Sequence, residues 1–232
     1  KTLDLDQSQS VASLAGAGTV DIASGMTLSL TDTGTIGVLA GAGTVDVANT
    51  KTLSLTDTGT IGLLSGTGTV SVANGETLSL TGTGTVPTAI GGAGNLAISG
   101  TVTQTGTVSN SGTRTIASGG TWKLGPAVMT YGVANAGTLE FNSAGTIGNG
   151  AVTGAGLISI NASGGTVVVD SSSSLGSTGG VTITDGTLQV TGANKLPSSG
   201  TVTVATSKTL DLDQSQSVAS LAGAGTVDIA SG

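Results

Sequence analysis

The chain has 232 residues, 41 glycines and a net charge of −7, and it contains neither cysteine nor histidine. The absence of these two residue types excludes zinc and blue-copper sites, Cys or His nucleophiles and Ser-His-Asp triads. The negative charge argues against a nucleic-acid partner and against an anionic membrane surface. No stretch reaches the ~20 apolar residues of a membrane helix, so we expect no membrane insertion in this segment.

The first hundred residues are four copies of one 25-residue sequence, which occupy residues 1–25, 26–50, 51–75 and 76–100. Thr, Val and Ile are abundant and evenly spaced in these copies, and such residues favour strands. A fixed period of this size is typical of a solenoid, in which each unit buries its apolar side by stacking on its neighbours.

Each copy contains three short alternating runs, which in the second copy lie near residues 27–31, 36–39 and 44–47. Turn residues separate the runs, and none of them has the 3.6-residue period of a helix. This pattern predicts one coil of a three-sided parallel β-helix per copy, with neighbouring coils about 4.8 Å apart. Equivalent positions then form inward ladders, the first of which contains Leu3, Leu28, Leu53 and Leu78.

Four carboxylates occupy equivalent positions in these copies: Asp32 with Asp57, and Asp21 with Asp46. If one copy is one coil, each pair stacks at a distance where like charges repel unless they are solvated or bridged. Ca²⁺ could bridge them, because it takes carboxylate and carbonyl oxygens. The alternative is a solvated outer face, which the absence of a calcium-roll motif favours. We therefore expect no cofactor, with these four residues as weak metal candidates.

A second repeated feature is the row of threonines at positions 31, 33 and 35 of the second copy, which recurs in the third and fourth copies. Stacked Thr rows loosely resemble the flat arrays of ice-binding β-helices. Ordinary strand preference also explains them.

The aromatic residues are confined to one short region, with Trp122, Tyr131 and Phe141 accompanied by Arg114 and Lys123. The region departs from the repeat. Exposed aromatics and Arg anchor interfaces, so residues 122–141 are a candidate patch for a ligand or partner. The alternative is a wider coil whose core needs larger side chains.

The middle section, residues 101–207, retains strand-like runs but has a looser period. Asp170 and Asp185 are its only acids after Glu140, and Lys195 is the nearest base. The clustered acid and base groups that polysaccharide-active β-helix enzymes use are not found there, so we expect no enzymatic activity.

Residues 180–227 resemble the autotransporter-associated β-strand repeat, also called the passenger-associated transport repeat. The matching segments are 180–190, 192–197, 201–204, 209–212 and 220–227. The resemblance implies a right-handed β-helix in a bacterial surface or secreted passenger, exported through an outer-membrane barrel and anchored by a part outside this window.

Residues 208–232 repeat residues 1–25 letter for letter, 207 residues further along the chain. This spacing indicates a long tandem cassette that starts again at Lys208. The sequence therefore predicts a single all-β parallel β-helix segment of a longer array, with about ten coils of ~20–25 residues each.

Together these features predict a structural repeat segment of a long bacterial cell-surface or secreted protein, as a stalk, an adhesin shaft or a fibre. Its expected partners are further copies of itself and, for an adhesin, a host or neighbouring cell surface. An adhesive module that uses residues 122–141 is the first alternative, and a polysaccharide-active enzyme is the second.

Overall fold

The computed structural model describes residues 1–125, 129 and 131–230, so parts of the aromatic region and the end of the fifth copy lie outside the described residues. Every regular element within these residues is a β-strand, and every strand pair with a defined register is parallel. No helix of the described part is long and apolar enough to cross a membrane. The chain divides into two compact units, Lys1–Arg114 and Thr115–Gly232.

The first unit winds its strands around three faces. The strands are β1 Thr2–Leu5, β2 Gln9–Val11, β3 Thr19–Ile22, β4 Thr27–Leu30, β5 Gly34–Ile36, β6 Val38–Gly41, β7 Thr44–Val47, β8 Thr52–Leu55, β9 Gly59–Ile61, β10 Leu63–Ser65, β11 Thr69–Val72, β12 Thr77–Leu80, β13 Thr83–Val86, β14 Ala89–Gly92, β15 Asn95–Ile98 and β16 Thr101–Gln104. Face 1 holds β1, β3, β6, β9, β12 and β15; face 2 holds β2, β4, β7, β10, β13 and β16; face 3 holds β5, β8, β11 and β14. The predicted three-sided parallel β-helix is therefore confirmed.

The prediction that one 25-residue copy forms one coil is wrong. Paired residues in this unit lie 17 to 20 positions apart, as in Thr27 with Thr44 and Thr44 with Leu63. The second, third and fourth copies each contain four strands, for example β4 to β7, whereas one turn uses three. Successive copies therefore begin on successive faces, with β1 on face 1, β4 on face 2 and β8 on face 3. Each copy thus advances by four-thirds of a turn.

The extra strand arises at a glycine corner. Gly37 separates β5 from β6, two strands that the sequence pattern suggested were a single run. A Cβ atom at Gly37 would lie 2.5 Å from the carbonyl oxygen of Ala17 on the preceding coil. The Gly37 and Val38 amides both donate to the carbonyl of Gly18, each at 3.1 Å, and so hold this corner against that coil. The predicted ladder of Leu3, Leu28, Leu53 and Leu78 is therefore not formed.

The core still follows the predicted alternation. Leu28 and its partner Val45 are both fully buried, and the intervening side chains face outward. Burying one such side chain contributes about 1.5–3 kcal/mol, so thin layers of Leu, Val and Ile suffice for this interior.

The second unit has the same construction with a looser spacing. Its strands are β17 Arg114–Ile116, β18 Thr121–Leu124, β19 Val133–Asn135, β20 Thr138–Phe141, β21 Gly145–Ile147, β22 Ala151–Thr153, β23 Leu157–Val169, β24 Ser174–Leu175, β25 Val181–Val190, β26 Thr201–Val204, β27 Thr209–Leu212, β28 Ser220–Gly223 and β29 Thr226–Ile229. Paired residues lie 17 to 24 positions apart. The long strand β23 pairs with β20 through its first half and with β21 through its second. The two units together contain about 12 turns, more than the ten predicted.

Candidate functional site

Two of the three aromatic side chains lie inside the second unit. Trp122 and Phe141 project inward from β18 and β20, with only 2% and 0% of their surfaces exposed. Between them, Lys123 Nζ and Glu140 Oε1 form an ion pair at 3.4 Å across the two strands. Tyr131 is 44% exposed. Of the four predicted patch residues in this unit, Lys123 and Tyr131 are therefore the two that a partner can reach.

The fifth predicted patch residue, Arg114, is buried at the end of the first unit, where the interior is polar. Its guanidinium donates to the carbonyl of Asn110, and Asn110 Nδ2 donates to the carbonyl of Gly94 at 2.9 Å. Gln104 Nε2 donates to the carbonyls of Thr88 and Gly106, both at 3.1 Å. The sequence analysis missed this cluster. Its signal was Gln104, which ends a strand opposite Val86 and so puts an amide at a position that is apolar on the neighbouring coil.

The predicted carboxylate rows are not formed, because residues 25 positions apart fall on different faces. Asp21 on β3 pairs with Asp4 and Ala40, whereas Asp46 on β7 pairs with Ser29 and Ser65. Asp57 Oδ1 accepts a hydrogen bond from the Thr58 amide at 2.9 Å. No group of three or more acidic side chains in the described part of the chain is arranged to hold a metal ion.

The fourth metal candidate, Asp32, has a cationic neighbour one coil along. Lys51 Nζ lies 3.0 Å from Asp32 Oδ1, and this hydrogen bond holds the pKa of Asp32 below its usual value. The same arrangement recurs in the second unit, where Lys208 donates to Asp185 and lowers the pKa of that carboxyl. Both lysines are the first residue of a copy. The third and fifth copies thus place their leading lysine against an acidic turn of the preceding coil.

Like charges do meet within the first and fifth copies, at positions that the sequence analysis did not pair. Asp4 lies opposite Asp21, and Asp211 lies opposite Asp228. Partial burial, and then the charges of Asp213 and Asp228, raise the pKa of Asp211.

The identical first and fifth copies are exposed on opposite sides. In the first copy β3 pairs with β6, and Ile22 is 0% exposed, whereas Leu3 on β1 is 43% exposed. In the fifth copy β27 pairs with β25, and Leu210 is 1% exposed, whereas Ile229 on β29 is 70% exposed. Within the described residues, β1 and β29 are therefore each paired on one side only.

Comparison of the chain with protein-family models, with curated proteins and with solved structures gives no match. The class of protein therefore follows from the fold: the chain is a parallel β-solenoid, and tandem copies of one short sequence form its first hundred residues.

Proposed function

We propose that the chain is a structural repeat segment of a long bacterial cell-surface or secreted filamentous protein. Its mechanism is mechanical, because main-chain hydrogen bonds and continuous apolar layers hold each coil to its neighbours. The stability of such an array is roughly a sum over coils and their interfaces, so the number of copies sets its length. The resemblance of residues 180–227 to a passenger repeat supports the extracellular location.

One observation carries this proposal. The outer strands of the first and fifth copies pair in the same register although their surroundings differ, whereas the middle strand lies at Gln9–Val11 in the first copy and at Ser220–Gly223 in the fifth. Thr2 to Leu5 pair with Thr19 to Ile22 in the first copy, and Thr209 to Leu212 pair with Thr226 to Ile229 in the fifth, at the same sequence spacing. A copy therefore keeps the pairing of its two outer strands in different surroundings, which supports its role as a building unit of an array.

We assign no enzymatic activity and no cofactor to the chain. Of the acidic side chains considered as metal ligands, Asp32 has a structural partner, Lys51. The partners that we propose are further copies of the same sequence and, at the cell surface, a host or neighbouring cell.

Immunogold electron microscopy of the source cells with an antibody against this chain tests the proposal. We expect gold particles along filaments on the cell surface or in the culture fluid. Labelling confined to the cell interior would contradict the proposed location, and labelling of compact particles would contradict the filament.

A further inference from the structure

Position 9 of a copy, counted from its first residue, differs between copies in a way that follows their surroundings. It is glycine in the second, third and fourth copies and glutamine in the first and fifth: Gly34, Gly59, Gly84, Gln9 and Gln216. The second and third copies follow another copy in the sequence, whereas the fifth copy follows the non-repeated middle section. The contacts of this position therefore show what each residue type accepts on the preceding coil.

Where a copy lies on another copy, position 9 has no room for a side chain. Gly34 and Gly59 are buried at the start of β5 and β9. A Cβ atom at Gly34 would lie 3.0 Å from the carbonyl oxygen of Leu14. A Cβ atom at Gly59 would lie 2.9 Å from the carbonyl oxygen of Leu39. Both leucines occupy position 14 of the preceding copy, so the same close approach recurs wherever one copy follows another in this part of the chain.

In the fifth copy, position 9 instead binds the segment 192–197, which lies in the connection between β25 and β26. Oε1 of Gln216 accepts hydrogen bonds from the Lys195 amide at 2.7 Å and from the Leu196 amide at 3.2 Å. Nε2 of Gln216 donates to the carbonyl of Gly192 at 2.6 Å. One half-buried side chain thus satisfies two main-chain donors and one main-chain acceptor, groups that a paired strand would otherwise satisfy.

We propose that the residue at position 9 determines what can precede a copy in the array. Glycine requires another copy, and glutamine requires the segment 192–197. A glutamine placed on another copy would collide with its backbone, and a glycine placed on the segment would leave the Lys195 and Leu196 amides without their acceptor. Each residue type therefore disfavours the neighbour of the other, and such selection against wrong neighbours gives near-identical copies a fixed order. This inference rests on the proposed function, because it names the residue that orders the self-stacking array.

Hydrogen exchange of single amides, followed by NMR on the full chain, tests the glutamine contact. Gln216→Ala removes the acceptor, so the Lys195 and Leu196 amides should exchange about tenfold faster or more, as expected for the loss of a protecting hydrogen bond. The matched control is Gln214→Ala, because Gln214 is an exposed glutamine two residues earlier and should leave both rates unchanged. Unchanged rates in Gln216→Ala, or equal acceleration in both variants, would overturn the proposal.

A pair of chimeras tests the choice of neighbour. In the first chimera, the sequence of residues 51–75 replaces residues 208–232 of the full chain and brings glycine to position 9. The Lys195 amide should lose its protection in this chimera and regain it in a second chimera that has glutamine at position 9. Equal protection of the Lys195 amide in the two chimeras would overturn the proposal.

The reciprocal substitutions test the glycine contact. Gly59→Gln and Gly59→Ala should both lower the thermal midpoint of the full chain, because each adds a Cβ atom against the Leu39 carbonyl. A Gly59→Gln protein with the native midpoint would show that glutamine is accepted on a copy and would overturn the proposal. None of these results alters the labelling of filaments on cells, which remains the separate test of the proposed function.

Discussion

Single glycines determine where this solenoid turns, and Gly41 is the clearest case. Its φ of 98° lies in the left-handed region, and a Cβ atom there would lie 2.1 Å from the carbonyl oxygen of Ile22. Gly25 has a similar φ of 78° but no neighbouring heavy atom within 4 Å of such a Cβ. A substitution at Gly25 therefore tests the left-handed backbone conformation alone, whereas a substitution at Gly41 tests it together with the close approach of the Ile22 carbonyl.

We expect Gly41→Ala to lower the free energy of unfolding by about 2–3 kcal/mol, because it combines a strained φ with a backbone clash. Gly25→Ala should cost about 1 kcal/mol, from the strained φ alone. Urea denaturation followed by circular dichroism measures both values. Equal losses would show that the close approach at Gly41 contributes nothing.

The aromatic region provides a second residue-scale prediction. Trp122 is buried, so Trp122→Ala should remove about 3–5 kcal/mol of stability. Tyr131 is exposed, and Tyr131→Ala should cost well under about 1 kcal/mol, as surface substitutions do. Chemical denaturation distinguishes the two variants. A Trp122→Ala protein of native stability would contradict a structural role for this side chain.

The charges of Asp211 and Asp32 should affect the stability of the fold in opposite directions, because folding raises the pKa of Asp211 and lowers the pKa of Asp32. The pKa of Asp211 is raised in the folded state, so its charge destabilises the fold at neutral pH, and this effect is lost as the pH falls through the raised pKa. Asp211→Asn should therefore increase stability at pH 7 by less than about 1 kcal/mol, since the carboxyl is largely solvated. That gain should vanish near pH 3.

Asp32 should behave in the reverse way. Lys51 lowers its pKa, so the folded state gains stability above the ordinary pKa of 3.8 and loses it as the pH falls through the lowered value. Asp32→Asn should decrease the thermal midpoint at pH 7 and leave it unchanged in strong acid. A decrease at both pH values would show that the carboxylate charge is not the cause.

At the scale of strands, the sequence predicted the fold class but not the length of a turn. Alternating runs such as Thr44–Val47 identified the strands and their inward side chains, because a strand has a period of two residues whatever it pairs with. The division at Gly37 was not predicted, because a corner made by a single glycine carries no turn signal of several residues in the sequence. That single corner gives the copy four strands where three were predicted. Asp21 and Asp46 therefore lie on different faces, and the predicted carboxylate row between them is not formed.

The four-strand copy predicts which deletions the array tolerates. Removal of residues 51–75 takes out one whole copy, so the fourth copy can occupy the place of the third with equivalent contacts, one face further back. Removal of residues 51–62 takes out half a copy and brings unlike segments together. We expect the first variant to keep a strand spectrum and a cooperative unfolding transition by circular dichroism, and the second to lose both. The same loss in both variants would contradict the copy as a building unit.

At the scale of the whole molecule, the difference in length between a copy of the repeat and a turn of the solenoid determines where charged side chains lie on the surface. Because successive copies begin on successive faces, Asp21 and Asp46 lie on different faces and their charges do not accumulate in one repulsive row. The lysine that opens a copy meets the acidic turn of the preceding coil at Asp32 and again at Asp185. Each of these pairs thus links two adjacent coils through opposite charges.

One turn of the first unit is shorter than one copy of the repeat, and paired cysteines can measure this difference. Ser29 lies opposite Asp46 on the neighbouring coil, whereas Ser54 is the position equivalent to Ser29 in the next copy. Under mild oxidation Ser29→Cys with Asp46→Cys should form a disulfide within one molecule, detected by mass spectrometry of the digested protein, and Ser29→Cys with Ser54→Cys should remain reduced. A disulfide in the second variant alone would show that one coil is as long as one copy, and it would contradict the pairing of Ser29 with Asp46.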